Sequence, residues 1–279
     1  MKFDRSLVVA RTYEAGKSIA LKWLPTGLLN QVKKRHYLRK VSRVSVSDEP
    51  DLGVLKYLVR PGDFVVDIGA NIGVYTVYLS RLVSETGCVL SLEPIRTTFG
   101  FLTYNVAKLG LRNVVARRVA VTSRACKISM MIPRDTAGMD NYYQAAVVAG
   151  DALGDQGITD VVEGLPLDNI VSTDVKRVRF IKCDIEGHEL HCLNGATNTL
   201  RLSRPAWLME VGGDPQKMGS NAEKVFSLMR EHGYSAWVYQ HENLKSWAPG
   251  VRSVNYLFLA TGHIEQLRAG GITVSDSNA

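Results

Sequence analysis

Residues 63–73, Asp63-Phe64-Val65-Val66-Asp67-Ile68-Gly69-Ala70-Asn71-Ile72-Gly73, constrain this chain more than any other stretch. Positions 64–68 are apolar apart from Asp67, β-branched in three of five places, and preceded by the turn pair Pro61-Gly62. Such a run reads as a strand buried on both faces of a sheet. Two glycines four positions apart follow, then Val74-Tyr75-Thr76-Val77-Tyr78-Leu79, whose apolar spacing suits a helix. Strand, glycine-rich turn and helix open a nucleotide-binding α/β unit, where a side chain in the turn would keep the backbone away from the ligand.

The glycine spacing narrows the ligand. A dinucleotide site expects G-x-G-x-x-G with a pyrophosphate on the helix N-terminus, and Gly69 and Gly73 do not fit it. Asp67 instead ends the strand two residues before the first glycine. A carboxylate there would repel a pyrophosphate and suit a ligand carrying ammonium and sulfonium groups. Asp-x-Gly-x-Asn-x-Gly resembles motif I of the S-adenosylmethionine-dependent methyltransferases with a Rossmann-like fold, although any tight strand-to-helix turn also wants glycines. A second strand, residues 87–92, runs into Glu93-Pro94, placing an acid 20 positions after Gly73. At about that offset an acid accepts hydrogen bonds from ribose hydroxyls; the alternative is a surface glutamate capping the next helix. The expected cofactor face is therefore Asp67, Gly69, Ala70, Asn71, Gly73, Glu93 and Pro94.

The remaining pattern is that of an α/β fold: a Rossmann-like, seven-stranded, mostly parallel sheet with helices on both faces. Helices are expected at 51–59 and at 97–109, the latter closed by Gly110. A third strand spans 113–121; the resemblance to this class of methyltransferase fold implies that its end, with Val119 and Ala120, lies beside the adenine, though core packing explains two small apolar residues equally well. Residues 122–166 leave the strand-helix rhythm: strand-like runs at 127–132 and 159–162 flank a Gly-, Asp- and Ala-rich stretch holding Asp140, Asn141, Tyr142 and Tyr143. An antiparallel insertion is the expectation, its tip read either as an acceptor lid whose Asn141, Tyr142 and Tyr143 suit a sugar or as a segment that packs on the domain or stays loose. Strand four, 178–185, runs into Glu186-Gly187-His188-Glu189 and a helix over 189–200; strand five, 206–211, carries Glu210 to the same carboxyl edge, where ligands bind in open α/β sheets. A helix at 222–232 and strands at 234–239 and 255–260 complete the count, and residues 262–279 are expected to fray.

Charge separates the chain into two parts. Residues 1–60 hold 13 Lys/Arg against 5 Asp/Glu, while the remainder holds 21 against 22. A nearly neutral body argues against a nucleic-acid groove around the site. The basic part is read as a helical extension over residues 1–45, with the main domain over 46–279. Within it, Lys33, Lys34, Arg35, Arg39 and Lys40 follow the break at Leu24-Pro25-Thr26-Gly27. Two readings stand: a solvated helix face beside core residues Leu28, Val32, Tyr37 and Val41, or a surface for acidic lipid head groups or a phosphate-bearing substrate. A homodimer through the extension is a further option. No apolar run is long enough to span a bilayer, no signal peptide is evident, and Cys88, Cys126, Cys183 and Cys192 show no C-x-x-C spacing. They read as buried reduced thiols in a cytoplasmic setting.

Asp67-Ile68-Gly69-Ala70-Asn71-Ile72-Gly73 together with Ile181-Lys182-Cys183-Asp184-Ile185-Glu186-Gly187-His188-Glu189 resembles the FkbM-type methyltransferases. Glu93-Pro94, Asn105, Leu167-Asp168-Asn169, Leu193-Asn194-Gly195 and Glu210 extend the resemblance over residues 48–260; Cys183 stands where the family more often has an aliphatic residue. The resemblance implies S-adenosylmethionine as cofactor and O-methylation of a hydroxyl on a sugar, glycoconjugate or natural product. Asp184, Glu186 and His188 are then the expected catalytic residues, with His188 the base by intrinsic pKa. A helix N-terminal packing role for His188 and an N-cap role for Asp184 are the structural alternatives. Asp184, Glu186 and Glu210 also form a hard oxygen set for a divalent cation such as Mg, while Lys182, on the face of Asp184, is a rival source of positive charge. A carboxyl or amine acceptor, a nicotinamide-dependent oxidoreductase and a non-catalytic nucleotide-binding module are the competing readings. A base-modifying methyltransferase would carry an Asn/Asp-Pro-Pro-Tyr/Phe turn after strand four, where Asp184-Ile185-Glu186-Gly187 stands.

Overall fold

β1 (Phe64–Ile68) is buried at every position. Its alternation sends Phe64, Val66 and Ile68 into one apolar core and Val65 into another on the opposite face of the sheet. Two covered faces are why the strand reads as nearly continuous hydrophobic sequence. The structure, a computed structural model, describes residues 26–133, 146–148 and 157–275.

From β1 the chain passes through α3 (Val74–Val83), β2 (Cys88–Leu92), α4 (Arg96–Lys108) and β3 (Val114–Arg117). Two helices precede β1: α1 (Thr26–Ser42) and α2 (Leu52–Leu58). After β3 come β4 (Ala120–Val121), β5 (Cys126–Pro133), β6 (Ala146–Val148) and β7 (Gly157–Leu165). The second half contains α5 (Leu167–Val171), β8 (Val178–Cys183), α6 (Glu189–Asn194), β9 (Ala206–Glu210) and α7 (Asn221–Glu231), then β10 (Ser235–Gln240), β11 (Asn243–Ser246), β12 (Asn255–Leu259), α8 (Thr261–Ala269) and β13 (Thr273–Ser275).

The main sheet has the order β13-β11-β10-β12-β9-β8-β1-β2-β3. The strands from β9 to β3 are parallel, and β12 is antiparallel to both β9 and β10. Seven of these strands match the expected core; β11 and β13 extend the far edge. The chain leaves β1 in one direction toward β2 and β3 and later returns on its other side as β8. That reversal opens a crevice at the carboxyl ends of β1 and β8. One face carries α5, α6 and α7 over a core centred on Trp207, Phe226 and Phe258; the other carries α2, α3 and α8 over Phe180, Leu208 and Leu257.

The structure corrects several expectations. The strand expected over 113–121 is two strands in two sheets. After the Arg117 carbonyl accepts from Glu93 N (3.2 Å), Arg118 turns toward Asp160 (2.6 Å) and the Val161 carbonyl (3.1 Å), and β4 pairs with β7 instead. The second sheet has the order β4-β7-β5-β6, with β5 antiparallel to both neighbours. The helix expected over 189–200 stops at Asn194, and Gly195 follows where the chain passes so close to Thr122 that a Cβ would overlap its carbonyl. A separate π turn, Thr199–Ser203, follows. Residues 261–275 do not fray but build α8 and β13, anchored by buried Leu267 and Ile272. Leu28 and Val32 are exposed rather than core, whereas Val41 is fully buried and Tyr37 packs edge-on against Phe101 at 4.9 Å. Of the four thiols only Cys183 and Cys192 are buried; Cys126 is exposed. No helix among the described residues is long and apolar enough to cross a membrane.

Asp168 has a structural task. Its carboxylate accepts from Asn198 N (2.7 Å), Thr199 N (2.9 Å) and Thr199 Oγ1 (2.8 Å), capping the turn that Gly195 permits. Asp168→Ala should lower unfolding free energy by about 1–3 kcal/mol in urea titrations, because donors are left without their acceptor.

Candidate functional site

A cavity of ≈ 270 Å³ lies at the carboxyl edge of the sheet, where the chain direction reverses. One end is formed by Gly69, Asn71, Glu93, Pro94, Val119 and Ala120. The other holds Asp184, Glu186, His188 and Glu210. Most of the expected cofactor set and all three catalytic candidates thus meet in one space, joined by Glu210 from the metal set. Three candidates do not line it. Asp67 is 1% exposed and points beneath α3, where Oδ2 accepts from Thr76 Oγ1 at 2.6 Å. Ala70 is buried with its N–H donating to the Leu92 carbonyl (3.0 Å), and Gly73 caps α3. Asp140, Asn141, Tyr142 and Tyr143, the stretch read above as part of an acceptor lid, lie outside the described residues.

Glu93 ties the cofactor end together. Its Oε2 accepts from Asn71 N (2.8 Å), and its Oε1 accepts from Ile95 N (2.9 Å) and Thr98 Oγ1 (2.7 Å). A carboxylate has about four acceptor sites, so one remains after three donors. Burial pushes the Glu93 carboxyl above its usual value, opposed by these hydrogen bonds. Asn71 stands in the left-handed region (φ +49°), and its Oδ1 is buried with no partner among the described residues. Asn105, buried on α4, donates to the Ile72 carbonyl (2.9 Å) and holds the same turn from behind.

The sequence pattern did not reveal the roof over this end. Ile95, Ala120, Ile128, Met130, Ile132 and Val162 form a small separate core, and Met130 reaches the cavity. Asp160 fastens that roof to the cofactor turn: it accepts from Arg96 N (2.7 Å) and from Arg118 (2.6 Å). Only the alternation of residues 127–132 signalled an inward face there.

At the far end, Asp184 is ion-paired with Lys182 (Nζ to Oδ2 2.7 Å), a lysine only 3% exposed whose ammonium also lies 5.0 Å from the Tyr75 ring centre. Asp184 is not the N-cap of α6; His188 occupies that position. Glu186 sits at φ +52°, an uncommon conformation for a residue with a side chain and one that concentrates at functional sites. Burial first, then Asp184 and Glu189, push the Glu186 carboxyl up; burial and Asp184 do the same to Glu210. One oxygen from each of Asp184, Glu186 and Glu210 falls within 4.8 Å of the others. His188 Nε2 shares a hydrogen bond with Thr122 Oγ1 (3.1 Å), and its ring stacks on His191 at 4.4 Å. Burial, and secondarily His191, bring its pKa down to about 4.

The family profile described as "Methyltransferase FkbM domain" matches residues 67–236. "Methyltransferase sdnD" of Sordaria araneosa is 25% identical over 157 residues, which is 47% of this chain and 60% of the relative. "Methyltransferase 1" of Beauveria bassiana is 24% identical over 149 residues, 47% of this chain and 57% of the relative. The chain thus spans less than two thirds of the length of these curated relatives. The crystal structure of methyltransferase FkbM from Methylobacillus flagellatus KT has a TM-score of 0.45 and 16% identity, covering 71% of this chain and 44% of that one.

Two outcomes follow from the geometry. Asp160→Ala should raise hydrogen exchange of the β5 and β7 amides by about tenfold, leaving β8 and β9 protected as before. The lowered His188 pKa makes the unfolded chain bind a proton that the native chain refuses between pH 6.5 and about 4. Stability therefore falls as pH drops through that window, and His188→Gln should flatten the acid side of a melting-temperature profile.

Proposed function

Because this chain belongs to the FkbM methyltransferase domain family, we propose that it is an S-adenosylmethionine-dependent O-methyltransferase acting on a hydroxyl of a sugar, glycoconjugate or natural product. The observation that carries this reading is the single cavity with a glycine-floored end bound to Glu93 and a carboxylate-rich end at Asp184, Glu186 and Glu210. The residues present suit the cofactor. Asn71 Oδ1 is a buried acceptor awaiting a donor, Glu93 retains acceptor capacity, and Gly69 lines the same end. Gly69, Asn71 and Glu93 would hold its polar parts, with Ile95, Val119, Ala120 and Met130 around the adenine. When bound, S-adenosylmethionine supplies an activated methyl group on a sulfonium.

The chain's own task is to line up the acceptor oxygen and take its proton. His188 is neutral in this setting, and an imidazole with a pKa of about 4 is a weak base. Its hydrogen bond to Thr122 instead fits it to orient an acceptor. Glu186, raised by burial and by neighbouring carboxylates, holds a proton more tightly than an ordinary glutamate and is the better proton acceptor. Asp184, fixed by Lys182, positions the hydroxyl. The acids at this end favour an uncharged acceptor over a phosphorylated one and disfavour a nucleic-acid backbone.

The same three carboxylates suit a divalent cation through hard oxygen ligands. Asp184, Glu186 and Glu210 would hold it, Glu186 then serving as a ligand in place of proton acceptor, and it would neutralise their mutual repulsion and polarise a hydroxyl. Lys182 already offsets part of that charge.

Transfer of a labelled methyl group to a panel of sugar and natural-product hydroxyls, with carboxyl and amine analogues alongside, tests the reading. Transfer to hydroxyl oxygen is expected, with Glu186→Gln lowering kcat by about 10²-fold. In the parent enzyme kcat/KM should fall as acid protonates Glu186, with an inflection above the ordinary glutamate value of 4.5, and that inflection should vanish in Glu186→Gln. Transfer confined to amines or carboxylates would contradict the proposal.

A further inference from the structure

α1 shows the solvent a face that is apolar at one end and basic at the other. Leu28, Val32, Arg35, Arg39 and Arg43 stand at intervals of four, three, four and four residues, so they form one stripe along the helix and its last turn. All five are exposed, Leu28 by 47% and Val32 by 44%. α1 contains neither Asp nor Glu. Among the described residues none of the three arginines makes an ion pair.

The opposite face of the helix is anchored. Tyr37 packs against Phe101 at 4.9 Å, Val41 is fully buried, and Lys34 lies over the Tyr104 ring at 5.0 Å. Arg81 donates to the carbonyls of Ser42 (2.8 Å) and Val44 (3.2 Å), fixing the C-terminal end. The stripe is therefore held outward by packing, not by chance orientation of a loose segment.

We propose that this stripe docks the protein onto an anionic membrane surface. Two apolar side chains at the helix start would enter the head-group boundary while the three guanidinium groups lie over anionic phosphates. Charge complementarity selects this occupant. A second copy packed stripe to stripe would crowd six guanidinium groups into one interface with no acid on either helix, and a nucleic-acid backbone would give Leu28 and Val32 nothing to bury against. Residues 1–25, which carry five Lys/Arg and two Asp/Glu, add to the positive charge on this side of the sequence. The apolar part is small, so attraction rests mainly on charge and is sensitive to salt. The inference is independent of the acceptor proposed above.

Co-sedimentation of the full chain with vesicles tests it. Binding is expected to phosphatidylcholine vesicles containing about one quarter phosphatidylserine, not to phosphatidylcholine alone, and should be lost at about 0.5 M salt. Combining Arg35→Glu, Arg39→Glu and Arg43→Glu should weaken it by on the order of a hundred-fold or more. Leu28→Ser with Val32→Ser, a pair that leaves the charges in place, should weaken it several-fold. Melting temperature should be unchanged in both variants, since the substituted side chains are exposed. Equal binding to neutral vesicles, binding that survives the charge reversal, or no binding to either vesicle would overturn the proposal. Retention of single-stranded RNA without vesicle binding would overturn it too, assigning the stripe to nucleic acid instead.

Discussion

The ends of β1 and β8 come so close that a side chain at residue 69 would overlap the Asp184 carbonyl. Gly69 also adopts φ +75°, which a residue with a Cβ rarely does. Asp184 N donates to the Ile68 carbonyl (3.1 Å), while Gly69 N and Ala70 N both donate to the Leu92 carbonyl (2.9 and 3.0 Å). Three strand ends are thus sewn together by backbone bonds at one point. The cofactor turn and the acidic turn diverge from that point, and the cavity is the space between them. Its two chemistries share a wall because the strands beneath them touch.

The polar groups around this contact divide between holding and reacting. Asp67, Asn105, Glu93 and Asp160 are occupied in fixing turns to one another, each by hydrogen bonds within the protein. Preorganisation of this kind lowers the cost of aligning reactants, because the groups need not reorient when they arrive. Asp184, Glu186 and Glu210 are in the opposite condition. Crowding and partial desolvation push the Glu186 and Glu210 carboxyls up, with Lys182 as the buried counter-charge. Local strain at Glu186 fits the same division, since rigid neighbours are what keep such a conformation populated.

The parallel core was legible in residues 64–68, 178–183 and 206–210 because strands buried on both faces leave few alternatives to a continuous apolar run. The cavity was legible for the same reason: the carboxyl ends of β2, β8 and β9 fix where Glu93, Asp184 and Glu210 emerge. Asp67 shows the limit. Its place before a glycine turn suggested a ligand, yet the two-residue alternation of β1 turns it toward Thr76 on α3. The break between β3 and β4 was hidden because it depends on Arg118 meeting Asp160, 42 positions away. His188 was named as a base from its intrinsic pKa, whereas the burial and the His191 charge that lower that pKa depend on tertiary packing. The exposure of Leu28 and Val32 likewise depends on which side of α1 meets Phe101.

Isothermal titration of the full chain with S-adenosylhomocysteine, S-adenosylmethionine and NAD tests the central claim, that the Glu93 end of the cavity is an S-adenosylmethionine site. The account predicts saturable binding of the first two and none of NAD, with Glu93→Ala abolishing binding while Asp168→Ala leaves it intact. Binding of NAD alone, or S-adenosylhomocysteine affinity unchanged in Glu93→Ala, would contradict it.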